Sequence, residues 1–240
     1  MSQQSTIFPL KVSDLTVRKR GKTILSKINL TLNQSGFTVV MGPNGSGKTT
    51  LLRVMHGLER PRQGSVEWSV STEDARSRQA FVFQTPVMMR RSVLDNVAYP
   101  LILRKQSRAQ ARQSARHWVE TVGLADNLNL DAKMLSGGER QKLAIARGLI
   151  ESPDVLFLDE PTTNLDGRSI REIEAIIAAA NSEGTKVIMT THDIGQAKRL
   201  ASEVVFLNRG EICEHRPAAD FFDRPESPAA KAYLRGDIVE

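Results

Sequence analysis

Eight consecutive residues, Gly42-Pro43-Asn44-Gly45-Ser46-Gly47-Lys48-Thr49, constrain this chain more than any other stretch. They fit G-x-x-x-x-G-K-[ST] and lie between a short apolar run, Phe37-Thr38-Val39-Val40-Met41, and a good helix opening, Thr50-Leu51-Leu52-Arg53-Val54-Met55. Glycines let such a loop curl until its N–H groups converge on phosphate oxygens, and the following helix adds its positive end. A chance glycine-rich turn has no need of a strand before it and a helix after it. Lys48 is expected to reach the β- and γ-phosphates and Thr49 to give its hydroxyl to Mg²⁺. With Gly42, Pro43, Asn44, Gly45, Ser46, Gly47 and Thr50 they make up an expected nucleoside-triphosphate site.

The strand–loop–helix start predicts an α/β fold, and the rest of the chain agrees. Leu10, Val12, Leu15 and Val17 read as one β segment with a polar step, and Ile28, Leu30 and Leu32 as another. Arg18-Lys19-Arg20-Gly21-Lys22 is the basic turn between them, and Phe81-Val82-Phe83 is a further short strand. From about residue 88 to 150 the pattern turns helical. Ser107 and Gln110 have capping-box spacing, Ala111, Ala115, Trp118, Val119 and Val122 follow at helical intervals, and Gly123 stops the run. Strands at 155–158, 187–191 and 204–207 then alternate with helices, one of them at 169–180, and Asn208-Arg209-Gly210 makes a hairpin turn. Such alternation argues for a mostly parallel sheet covered on both faces. The expected organisation is a single domain over 1–240. Its core takes residues 1–87 and 151–240 and includes an N-terminal antiparallel β subdomain, and a helical subdomain is inserted at 88–150.

Composition narrows the setting. Hydrophobic residues at 40% and charged residues at 25% exclude a collagen-like, disordered or disulfide-stapled chain. The single Cys213 cannot form an internal disulfide, which suits a reducing cytoplasm. The opening Met1-Ser2-Gln3-Gln4-Ser5-Thr6 lacks a secretory pattern. No apolar run approaches the ~18 residues needed to cross a bilayer. A net charge of +6 is compatible with nucleic acid, nucleotide phosphates or an anionic membrane face, and does not choose among them.

Val155-Leu156-Phe157-Leu158-Asp159-Glu160-Pro161 is an apolar strand ending in two acids, the place where open α/β sheets hold ligands. Asp159 is expected to hold Mg²⁺, and Glu160 to orient the attacking water as the catalytic base. His192, after the run 187–191, is expected to contact the γ-phosphate. Gln84 is a candidate for Mg²⁺ or the water at the head of a mobile segment. In Leu135-Ser136-Gly137-Gly138-Glu139-Arg140-Gln141, Ser136 and Glu139 form a capping box at a helix start. The box does not explain two successive glycines, which suggest close approach of another group. A second anion site on this helix N-terminus fits a head-to-tail dimer, each Ser136 segment closing on the other chain's nucleotide.

In this order the motifs resemble those of the nucleotide-binding subunit of an ATP-binding cassette (ABC) transporter over the whole chain. Gly42–Thr49, Gln84, Leu135–Glu139, Val155–Glu160 and His192 match the family's phosphate loop, Q-loop, signature, metal strand and switch histidine. Asn164-Leu165-Asp166 matches the loop that speaks across the dimer. The resemblance implies two ATPs, with Mg²⁺, sandwiched between two cassettes, Ser136, Gly137, Gly138, Glu139 and Asp166 completing the partner's site. It also implies an integral membrane permease, an extracytoplasmic solute-binding protein reached indirectly, and a peripheral place on the cytoplasmic face of the plasma (inner) membrane. One departure is that the family usually stacks an aromatic residue on adenine where this chain has Arg18-Lys19-Arg20, so weak ATP-over-GTP discrimination is expected.

With Pro225-Glu226-Ser227-Pro228 near its end, the sequence is expected to lack the C-terminal regulatory domain of some importers. The stretch from Arg78 to Ser92 and His56-Gly57-Leu58 resemble tungstate-type oxyanion importer cassettes. Met88, Met89 and Val93 suit either the core of the helical subdomain or a groove at 85–97 for a permease helix. The alternative is a soluble ABC ATPase acting on nucleic acid or ribosomes. Repair members carry long coiled coils where this chain has 87 residues (49–135), and translation members usually hold two cassettes. A cluster-assembly cassette resembles the chain less, and no direct nucleic-acid contact is expected.

Overall fold

The computed structural model describes residues 6–237; residues 1–5, which carry most of the stretch inspected for a signal, and 238–240 lie outside the described residues. The chain opens with β1 (Leu10–Lys19), β2 (Lys22–Leu32), β3 (Phe37–Met41), α1 (Lys48–His56), β4 (Gln63–Glu67) and α2 (Thr72–Ser77). Next come β5 (Gln79–Val82), α3 (Val93–Leu103), α4 (Arg108–Thr121), α5 (Gly137–Leu149), β6 (Val155–Asp159) and α6 (Gly167–Ser182). It continues through β7 (Lys186–Thr190), α7 (Ile194–Leu200), β8 (Glu203–Asn208), β9 (Glu211–Pro217), α8 (Ala218–Asp223) and α9 (Pro228–Arg235). These elements form two compact units, one running to Gln79 and resuming at Lys186, the other Ala80–Thr185.

In the first unit β2, β1 and β4 form an antiparallel sheet in that order. The polar step in β1 is a bulge. Asp14 adopts φ 46°, the register shifts between Val12 and Leu15, and both of those side chains stay buried. Asn29 fixes the bulge by accepting from Asp14 N–H and donating to Asp14 Oδ1, each at 3.0 Å. A second group of strands runs β7-β3-β8-β9. The first three are parallel, and β3 and β7 are buried along their whole length, which is why they read as continuous rather than alternating apolar runs. β9 returns antiparallel through the expected turn, with Arg209 at φ 47° and Gly210 at φ 80°.

Lys186 is fully buried at the start of β7 and donates to Ser35 O (2.8 Å) and Glu203 (2.9 Å). Burial alone pushes the Glu203 carboxyl up. Hydrogen bonds with His215 (2.8 Å) and Thr38 (2.5 Å), with the Lys186 charge, outweigh it and hold the group at about 2.

The second unit places α5 against α3 and α6. Its core takes Val93, Val97 and Leu101 from α3, Ala111, Ala115 and Val119 from α4, and Leu143, Ile145 and Leu149 from α5. A Cβ on Gly148 would sit 3.4–3.5 Å from Leu156, Ala80 and Val82, so α5 also lies close on β5 and β6. β5 is 79–82 rather than the expected 81–83, and Phe83 and Gln84 belong to the loop beyond it. Among the described residues no helix is long and apolar enough to cross a membrane.

Candidate functional site

The phosphate loop joins β3 to α1 within the first unit. Gly42, Gly45 and Gly47 have φ of 147°, 80° and 106°, a region that favours glycine. A Cβ on Gly42 would overlap the carbonyl oxygen of Leu207 in β8, and one on Gly47 would come within 2.7 Å of the Leu25 side chain in β2. The β8–β9 turn clamps the loop from outside: Gly210 donates its N–H to Ser46 O (3.0 Å) and accepts from Ser26 N–H (2.9 Å). α1 starts at Lys48 with no side-chain cap and no acid in its first turn, so its positive end is open to an anion. Ser46 Oγ is buried without a hydrogen-bond partner among the described residues. Lys48, 6% exposed, folds its ammonium onto Gly42 O (2.9 Å) and Pro43 O (3.0 Å).

An orphaned hydroxyl, an uncapped helix and a cation resting on loop carbonyls fit a polyphosphate. The Thr50 hydroxyl is engaged elsewhere. It accepts from Lys19 (3.3 Å), which also pairs with Glu59 (2.8 Å) and so ties the end of β1 to α1. His192 follows β7 by two residues and is exposed. Its carbonyl accepts from the Tyr233 hydroxyl of α9 at 3.2 Å, while the next residue, Asp193, caps α7 through Gln196 N–H.

In the second unit, Asp159 ends β6 only 2% exposed. Glu160 then turns to φ 45°, an uncommon conformation for a residue with a side chain. Its Oε2 accepts from Gln84 Nε2 (3.1 Å) and Thr163 Oγ1 (3.0 Å). The fold thereby brings Gln84 to Glu160 across 76 residues and adds Thr163, which no sequence motif announces. Ser136 caps α5 with the full box expected: its hydroxyl accepts from Glu139 N–H, and Glu139 accepts from Ser136 N–H (2.8 Å). Hydrogen bonds from the Ser136 hydroxyl and N–H hold the Glu139 carboxyl below its usual range. Asp166 caps α6 and is likewise held down, by bonds from the Ser169 N–H and hydroxyl.

A cavity of about 190 Å³ in this unit is lined by Gln84, Pro86, Gly137, Gln141, Thr163 and Leu165. The loop after Gln84 is held by two polar groups the sequence left unremarked. Buried Asn96 of α3 donates to the carbonyls of Arg91 and Ser92 and accepts from Met89 N–H; Arg147 of α5 donates to Val87 O (3.0 Å). An asparagine among Val93, Leu94, Val97 and Ala98 was the available signal. Met88 and Val93 are core, while Val87 is exposed.

Residues 25–163 match a family model described as ABC transporter, a span that includes the phosphate loop, Gln84, Ser136–Glu139, Asp159 and Glu160. The chain belongs to the ABC transporter family. This cassette is 36% identical to a probable amino-acid ABC transporter ATP-binding protein of Haemophilus influenzae, with 94% of each chain covered. It is also 36% identical to the tungstate uptake system ATP-binding protein TupC of Peptoclostridium acidaminophilum, over 85% of this chain and 97% of that one. A solved dimeric structure of the ATP-binding cassette MJ0796, in a post-hydrolysis state with ADP and Pi, matches with a TM-score of 0.78 at 28% identity. The match covers 87% of this chain and 98% of that one. The fold is that of an ABC ATPase cassette, with an antiparallel N-terminal sheet, a mixed sheet and helices, and the cassette is a nucleotide-binding ATPase.

Proposed function

We propose that the cassette is the ATP-hydrolysing subunit of an importer. It works as a head-to-tail homodimer beneath an integral membrane permease, peripheral to the cytoplasmic face, with an extracytoplasmic solute-binding protein delivering cargo. The observation that carries the ATP chemistry is the phosphate loop, whose positive-φ glycines, uncapped α1 and orphaned Ser46 Oγ suit a polyphosphate. Lys48 leaves the Gly42 and Pro43 carbonyls for the β- and γ-phosphates. Glu160, oriented by Gln84 and Thr163, takes a proton from the attacking water, and His192 contacts the γ-phosphate. Thr49 and Asp159, with Gln84, are the residues that would hold Mg²⁺, which when bound neutralises phosphate charge. Ser136, Gly137, Gly138, Glu139 and Asp166 close on the partner's nucleotide. With Arg18-Lys19-Arg20 in place of an aromatic residue, ATP and GTP compete on nearly equal terms.

The cargo we assign is tungstate or a related oxyanion. Two things support this: the Arg78–Ser92 stretch and the similarity to the tungstate uptake protein. The test is capture of tagged Glu160→Gln protein with ATP from detergent-solubilised native membranes. A co-purifying permease whose solute-binding partner takes tungstate, molybdate or sulfate supports the reading. A binding partner specific for amino acids overturns the cargo, and ribosomal or nucleic-acid components without a membrane protein overturn the importer.

A further inference from the structure

α5 meets α6 where Gly138 faces Ser169. A Cβ placed on Gly138 would lie 2.5 Å from Ser169 Oγ and 2.9 Å from Ser169 Cβ, whereas one on Gly137 would be at an ordinary 3.6 Å from Leu165. The Ser169 hydroxyl could rotate aside, losing its 2.8 Å hydrogen bond to Asp166 Oδ2. Its Cβ has no such freedom, because the α6 backbone fixes it. The Ser169 N–H also donates to Asp166 Oδ1 (3.0 Å). One side chain therefore fills the notch in α5 and holds the acid of the neighbouring loop. Lys142 of α5 pairs with Glu172 of α6 (2.8 Å), and Arg168 pairs with the same carboxylate (2.8 Å), so the seam is closed again one turn on.

We infer that position 138 is glycine because Ser169 occupies the space of its Cβ. Ser169 is a positioning residue: it sets the Ser136 segment against the Asp166 loop, so that both present to the partner's nucleotide as one piece. The second clause rests on the proposed head-to-tail dimer, while the first is a property of this chain alone.

The experiment uses the full-length Glu160→Gln chain as parent and adds Gly138→Ala, Ser169→Gly, or both. ATP-dependent dimerisation is followed by light scattering, beside nucleotide affinity and Tm. Gly138→Ala is expected to weaken dimerisation at least about tenfold and to lower Tm. Gly138→Ala/Ser169→Gly should return dimerisation to within about threefold of the parent, because the Cβ is accommodated by the one removed; the remaining loss, shared by Ser169→Gly alone, is that of the Ser169 hydroxyl's bond to Asp166. Pairing Gly138→Ala with Ser169→Ala instead, which keeps the obstructing Cβ, should rescue little. A Gly138→Ala/Ser169→Gly chain as weak as Gly138→Ala would overturn the inference, assigning the glycine to the nucleotide. If the parent binds ATP but never dimerises, the head-to-tail reading fails instead. Tm then decides: recovery in the reciprocal pair supports the interlock, and no recovery overturns it.

Discussion

In the phosphate loop the groups that set the shape come from eight consecutive residues and mostly from the backbone. Around Glu160 they are side chains drawn from the Gln84 loop, the end of β6 and the turn before α6. The first is a shape imposed by glycines whose φ values and close neighbours exclude other residues. The second joins a hydrogen bond from Gln84, which spans 76 residues and exists only once β5 and β6 are folded, to a local one from Thr163, three residues beyond Glu160. A cradle of backbone N–H groups tolerates loss of one side chain; a carboxylate aimed by two donors has little redundancy.

The sharpest test of that contrast is Glu160→Gln, which should cut turnover by roughly 10²–10⁴-fold with nucleotide affinity intact, read by phosphate release and by titration. Near-normal turnover would move the water-orienting role elsewhere, to His192 first. In the other region, Lys48→Ala removes a charge but leaves the backbone cradle. Nucleotide affinity should fall about 10–100-fold in a fluorescent-nucleotide titration. Unchanged affinity would break the assignment of the loop. Thr163→Ala takes one of the two donors from Glu160 and should lower kcat about 3–10-fold at constant KM; an equal rise in KM would show that Thr163 acts on binding instead.

The smallest effect concerns stability away from both sites. The Glu203 carboxyl lies near 2 in the folded chain against an ordinary 4.5, so its stabilisation is complete above about pH 4.5 and disappears as pH falls toward 2. Between about pH 5 and pH 3 the Tm of Glu203→Gln should fall less steeply than that of the parent chain. Parallel curves would place the acid sensitivity in other carboxylates.

Several features were legible because they are local. A loop of eight residues between an apolar strand and a helix leaves few backbone paths, and a serine three residues before a glutamate finds its own cap. Gly137-Gly138 showed how far local reasoning reaches. The pair suggests close approach of another group at an anion site, and the structure gives Gly138 a nearer constraint in Ser169, 31 positions away. Thr163, Asn96 and Arg147 were equally silent, since a polar residue in a loop or helix declares no partner until the chain folds.

The sequence by itself determined the curl of residues 42–49, the alternation of strands and helices, and the capped starts of α4 and α5, since each depends on backbone preferences within a few residues. The tertiary structure alone decided that Leu207 and Gly210 clamp the phosphate loop, that Gln84 reaches Glu160, and that Ser169 fills the notch at Gly138. Those contacts join positions far apart in the chain. Their geometry is set by strand register and helix packing, which neighbouring residues cannot encode.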